Sequence, residues 1–125
     1  MSDTFKSTTT IVTTQNQDFV IYTCPTADDS TIPPQKPVQT LVKSILCTPI
    51  INSVVSITLF DASANQTVNI LKDITMTAGN AGLSGYHDEE VLRQPLVLED
   101  SDILKVQSNQ NNALHVTVSV LEIKQ

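Results

Sequence analysis

The stretch Leu114-His115-Val116-Thr117-Val118-Ser119-Val120 decides the fold class. Its apolar residues fall at every second position, so an extended chain puts Leu114, Val116, Val118 and Val120 on one face and His115, Thr117 and Ser119 on the other. A helix would scatter the valines around its axis, and their branched side chains are stiff there. The segment reads as a strand with one buried side. The alternation recurs in Val55-Ser56-Ile57-Thr58-Leu59, followed by the turn-forming Asp61-Ala62-Ser63-Ala64-Asn65-Gln66 and by Thr67-Val68-Asn69-Ile70, which together predict a hairpin.

Further strands are expected at residues 19–24, 38–47, 74–77, 95–98 and 103–107, with an edge or arm strand around 8–14. The turn residues Glu99-Asp100-Ser101-Asp102 and Ser108-Asn109-Gln110-Asn111-Asn112 separate the last three strands and predict a closing meander. Pro33, Pro34 and Pro37 have no N–H to give a ladder, so residues 26–37 read as a stiff surface loop. Residues 78–94 hold all three glycines, Gly79, Gly82 and Gly85, and Asp88-Glu89-Glu90-Val91-Leu92-Arg93 fits one short helical turn. The chain is thus expected to be all-β, a single β-sandwich or jelly roll of about eight short antiparallel strands. Residues 1–18 form an N-terminal arm or edge strand, and residues 19–125 the sandwich domain.

Composition agrees and narrows the partners. Val, Ile and Thr make up 40 of 125 residues, and these side chains suit a pleated, half-buried surface. Only 16% of residues are charged, so 16 Thr, 11 Ser, 9 Gln and 8 Asn must supply most of the polar surface. Seven Lys+Arg against 13 Asp+Glu give a net charge of −6, and no basic cluster exists to displace counterions from nucleic acid or an anionic membrane. Apolar runs such as Thr48-Pro49-Ile50-Ile51 fall far short of the roughly 20 residues of a membrane helix. Met1-Ser2-Asp3-Thr4 begins no basic-then-apolar signal, so a cytosolic product is expected. Cys24 and Cys47 lie beside strands with no ligand at metal spacing, and read as reduced, half-buried thiols.

Candidate chemistry fails on spacing. Gly82-Leu83-Ser84-Gly85-Tyr86-His87 resembles an activated serine, but the nucleophile elbow needs glycine two residues after the serine, and His87 is too near in sequence to serve as base. The three glycines are not spaced as a phosphate cradle and no lysine follows. Asp88-Glu89-Glu90, and Glu99-Asp100 with Asp102, offer oxygen atoms to calcium but lack the ligand alternation of a binding loop, and read as solvated turns. Without Trp, and with only Tyr22 and Tyr86, the chain has few platforms for sugars. His87 and His115 have no partner at ligand spacing, and Asn65-Gln66-Thr67 reads as a chance sequon. No catalytic residue, cofactor or metal is expected. Residues 1–16 are polar with isolated apolar anchors, Phe5, Ile11 and Val12, a composition suited to an arm that orders on a neighbour.

Three stretches in order resemble the small β-sandwich virion proteins of tailed bacteriophages, especially capsid decoration or cement proteins. The first is Phe19-Val20-Ile21-Tyr22-Thr23-Cys24-Pro25, a short strand ending in a Tyr-Thr-x-Pro corner. The second is residues 54–79, a strand, an Asp-Ala-Ser turn and a strand leading to Ala-Gly. The third is Pro95-Leu96-Val97-Leu98-Glu99-Asp100-Ser101-Asp102-Ile103-Leu104-Lys105-Val106 with residues 114–123, the closing part. The resemblance spans residues 19–123 and implies a non-enzymatic virion structural protein, made in the host cytoplasm, that binds capsid subunits and copies of itself. Neck, tail and fibre-attachment proteins of the same kind are the alternative, and a cation-dependent ligand-binding or enzymatic sandwich is the competing class. Ser101 stands where the family's turn usually has glycine, and residues 26–37 and 83–94 look like insertions particular to this chain. A partner-specific contact is expected there, with Tyr86 and Leu92 joining Phe5, Ile11 and Val12 as candidate partner-binding residues.

Overall fold

A computed structural model describes residues 2–25, 38–77, 89–90 and 95–124. Nine strands occur among them: β1 (Ser2–Val12), β2 (Phe19–Thr23), β3 (Val38–Pro49), β4 (Ser53–Asp61), β5 (Gln66–Met76), β6 (Glu89–Glu90), β7 (Leu96–Leu98), β8 (Ile103–Ser108) and β9 (Leu114–Lys124). One sheet has the order β1-β9-β3, with β6 and β7 following one another along the far edge of β3; the other has the order β2-β8-β4-β5. All pairings are antiparallel.

The chain is all-β and forms a two-sheet sandwich. Pairing β1 with β9, β2 with β8, β3 with β6 and β7, and β4 with β5 is what results when one long antiparallel hairpin is rolled so that β9 also meets β3 and β8 also meets β4. This is jelly-roll topology with one interrupted strand. Its core lies between the sheets. Ile45, Val116 and Val118 from the five-stranded sheet pack in one buried cluster with Ile21, Ile57 and Leu104 from the other. Leu114, Val116, Val118 and Val120 are all at most 1% exposed and His115 lies outside, as the alternation requires.

The predicted hairpin is β4–β5, where the Asp61 carboxylate accepts hydrogen bonds from the Ser63 hydroxyl (2.9 Å) and the Ala64 N–H (3.3 Å) and Asn65 takes φ 52°. Residues 67–70 and 74–77, expected as two strands, belong to one strand up to Met76. A bulge joins them, with Asp73 at φ 51° and its N–H given to the Ser56 hydroxyl (2.9 Å).

Two expectations are corrected. The last three strands do not form a meander: β7 lies in one sheet, β8 in the other and β9 back in the first. Alternation says that a strand has a buried face but not which of two facing sheets it joins. The helical turn at residues 88–93 is also replaced where it is described, because Glu89 and Glu90 are extended and pair with Cys47 and Leu46. Beyond the reach of β7, β3 has open backbone groups, and this short bridge fills them. The loop at residues 26–37 and the Gly82–His87 motif fall outside the described residues.

The switch from β7 to β8 rests on Asp102. Its carboxylate is buried and accepts from the Ala62 N–H (3.0 Å) and the Glu99 N–H (2.9 Å), while its carbonyl accepts from the Cys24 N–H (2.8 Å). One side chain therefore ties two turns together, and oxygen atoms that had been weighed as calcium ligands serve backbone donors. Ser101 beside it has φ 69°, a left-handed conformation that costs a residue with a Cβ. Ser101→Gly should therefore stabilise the fold by about 0.5–1 kcal/mol, read as a higher denaturation midpoint at unchanged slope. A lower midpoint would show that the serine hydroxyl, bonded to the Asp100 carboxylate at 3.0 Å, matters more than the backbone.

Candidate functional site

Two features of the five-stranded sheet stand out, one on each face. On the inner face, β9 continues its alternation past Val120 to Glu122, which is 2% exposed. A carboxylate there needs partners. Lys6 of β1 reaches it with Nζ–Oε1 2.9 Å, and the Tyr22 hydroxyl donates to Oε2 at 2.6 Å. Tyr22 also meets the Thr40 hydroxyl at 2.9 Å, and Thr40 meets the Cys24 sulfur at 3.3 Å. Tyr22 belongs to the opposite sheet and faces inward because a bulge between Val20 and Tyr22 turns two consecutive residues, Ile21 and Tyr22, into the core. The network therefore clamps β2 to β9 and fixes the edge strand β1 through Lys6.

This network is built for stability. Burial, then the hydrogen bond to Glu122, raises the Tyr22 pKa, and burial likewise pushes the Cys24 thiol up. A phenol and a thiol held in their protonated forms do not act as nucleophiles near neutrality. Because the folded state raises the Tyr22 pKa, its contribution to stability is complete below the unfolded value of about 10 and is lost as pH rises above it. In a Tyr86→Phe background, the phenolate absorbance of Tyr22 should appear together with loss of the β-sheet circular dichroism. Ionisation near pH 10 with the fold intact would contradict the buried placement.

Cys24 and Cys47 form no disulfide and are fully buried. A thiol reagent should label neither in the native protein, and both after denaturation without reductant. Fast labelling of the native protein, or missing thiol in the denatured one, would count against this arrangement.

The outer face carries the second feature. In register across the sheet, Phe5 of β1 lies opposite Leu121 of β9, Leu121 opposite Leu41 of β3, and Leu41 opposite Val97 of β7. Phe5 is 70% and Val97 56% exposed, and the two leucines between them are partly so. Their sequence neighbours Thr40, Val42, Leu98, Val120 and Glu122 are buried, so this row points outward. Lys43, next to buried Val42, is outside, where its ammonium lies 5.5 Å from the Phe5 ring centroid, and a register shift at Val42/Ser44 brings Ser44 opposite Ser119 beside it. An open groove of about 520 Å³ beside them is lined by Phe5, Lys43, Ser44 and Ser119 among others.

A polar groove of about 310 Å³ at the other sheet includes Asn16, Ser56, Asp73 and Asn109. Its Ser56–Asp73 pair is closed on itself: the Ser56 hydroxyl donates to the Asp73 carboxylate at 3.2 Å and accepts the Asp73 N–H at 2.9 Å. Among the described residues, no three His, Cys, Asp or Glu side chains converge as a metal site.

The expected partner-binding residues separate accordingly. Phe5 and Ile11 are exposed on the outer face of β1, Ile11 at 53%. Val12 is corrected: it is 0% exposed and belongs to the core, because alternation along β1 puts it on the face opposite Ile11. Tyr86 and Leu92 lie outside the described residues. The segment that carries Phe5 and Ile11 is paired with β9 from Ser2 to Val12 without a register shift. Comparison of the chain with protein-family models, curated proteins and solved structures finds no match.

Proposed function

We propose that the protein is a non-enzymatic structural component of a bacteriophage virion, a decoration or cement protein that binds capsid subunits and copies of itself. The observation that carries the reading is the apolar row of Phe5, Leu121, Leu41 and Val97, exposed across a rigid sheet. Single exposed apolar residues are ordinary, but a contiguous row crossing four strands is the kind of surface that proteins cover with a partner. Its rim is polar, with Ser7, Ser44 and Ser119 in the adjoining register and the Lys43 ammonium over Phe5. Jelly rolls also build viral shells, lectins and cupins, so the topology is compatible with this reading without deciding it.

Phe5→Lys and Val97→Lys test the assignment. Both positions are exposed, so melting should be unchanged, while binding of the purified protein to particles stripped of it should fall about tenfold or more for a central apolar contact. Undiminished binding by both variants would move the contact away from this face.

A further inference from the structure

We propose that β1 is a self-pairing edge: two copies of the chain join antiparallel through β1, centred on Thr8, to make one sheet continuous across a two-fold axis. This deepens the self-association in the reading above and rests on that part of it alone, not on attachment to a particle.

β1 ends its sheet, and among the described residues no strand pairs with its outer side. Sheet edges are normally blocked by proline, a bulge, short length or an outstanding charge. β1 is 11 residues long, contains no proline, and keeps register with β9 throughout. Its lysine is Lys6, whose ammonium is held by Glu122 of the neighbouring strand and so is drawn towards the sheet interior.

The sequence then selects one register. In a continuous sheet, residues facing each other across the new pair must share a face, which allows only pairings whose two residue numbers sum to an even value. Centring on Lys6 sets two lysines opposite each other, which is unfavourable. Centring on Ser7 leaves Phe5 opposite Thr9. Centring on Thr8 sets Phe5 opposite Ile11 of the other copy, twice by symmetry, and moves each Lys6 opposite Thr10. Phe5 and Ile11 are the large exposed apolar residues of this strand, 70% and 53% exposed, and an aromatic next to a β-branched side chain is a favourable cross-strand pair. The other outward positions, Ser7 and Thr9, then face each other. An interface of this kind is isologous and closes at two copies, so β1 is used up rather than propagated.

The register predicts a cross-linking pattern. With Ser7 opposite Thr9, the variant Ser7→Cys should form disulfide-linked dimers when mixed with Thr9→Cys under mild oxidant, and a chain carrying both changes should do so alone. Each single variant by itself, and the wild-type protein with Cys24 and Cys47 buried, should remain uncross-linked on a non-reducing gel. In sedimentation equilibrium the wild-type protein should be dimeric, and Ile11→Lys should raise the dimer dissociation constant by about tenfold or more while keeping the wild-type circular dichroism and melting as the wild type does at concentrations where both are monomeric. A wild-type protein that stays monomeric at about 100 μM, or single variants that cross-link as readily as the mixture, would overturn the proposal. A wild-type protein that dimerises in this way but does not bind stripped particles would instead sink only the particle reading.

Discussion

Val118→Asp should leave no cooperatively folding protein. Val118 is 0% exposed, in the central strand of its sheet, opposite Thr8 of β1 on one side and Ile45 of β3 on the other. Burying an isolated carboxylate costs several kcal/mol, and about 1.5–3 kcal/mol of apolar burial is lost with the valine. Together these rival the roughly 5–15 kcal/mol total of an ordinary domain. Circular dichroism on heating is the measurement. Thr117→Asp, one residue away on the outer face, is the control and should melt cooperatively. If Val118→Asp melts cooperatively and Thr117→Asp does not, the buried and exposed faces of β9 are exchanged.

Lys6→Met has the second largest effect. The Glu122 carboxylate has 3% of its side chain exposed and loses its ion pair in this variant, keeping the Tyr22 hydrogen bond. Breaking a buried pair from one side costs about 3–5 kcal/mol, but Lys6 is 51% exposed and solvent screens part of its charge, so about 2–4 kcal/mol is expected. Replacing both partners, Lys6→Met with Glu122→Met, should recover a large part of that loss, because two apolar side chains then share the site. Denaturant unfolding of the four proteins in a double-mutant cycle gives the coupling directly. A coupling near zero would mean that the ion pair does not hold β1 in place.

These two residues also mark how far the sequence alone reaches. The alternation from Leu114 to Val120 is strict, so the fold class, the inward valines and the outward His115 were legible. The same alternation, carried two residues further, puts Glu122 on the buried face, a signal that a basic partner must lie nearby. What alternation could not supply is Tyr22. Its neighbour Ile21 is also buried, and only a bulge allows consecutive residues to face the same way. The shift at Val42/Ser44 hides the position of Ser44 beside Lys43 from pattern reading for the same reason.

The outer row was invisible on different grounds. Leu41, Val97 and Leu121 are far apart in sequence and become neighbours only through the pairing of β7, β3 and β9. A meander of the last three strands would have put Val97 beside other residues altogether. Phe5 and Ile11 could be named because isolated apolar residues in a polar segment are conspicuous, but the same rule also selected Val12. The strand expected at residues 8–14 already separates it from Ile11, because successive side chains of a strand point to opposite faces.

The protein is proposed to work as part of a particle, through a face and an edge. The most direct test of that proposal is the composition of purified phage particles, determined by mass spectrometry before and after graded stripping with denaturant. The chain should be present in intact particles, leave before the capsid shell breaks, and be missing from particles assembled with Val97→Lys. Its absence from purified particles, with the protein abundant in the surrounding lysate, would contradict the account.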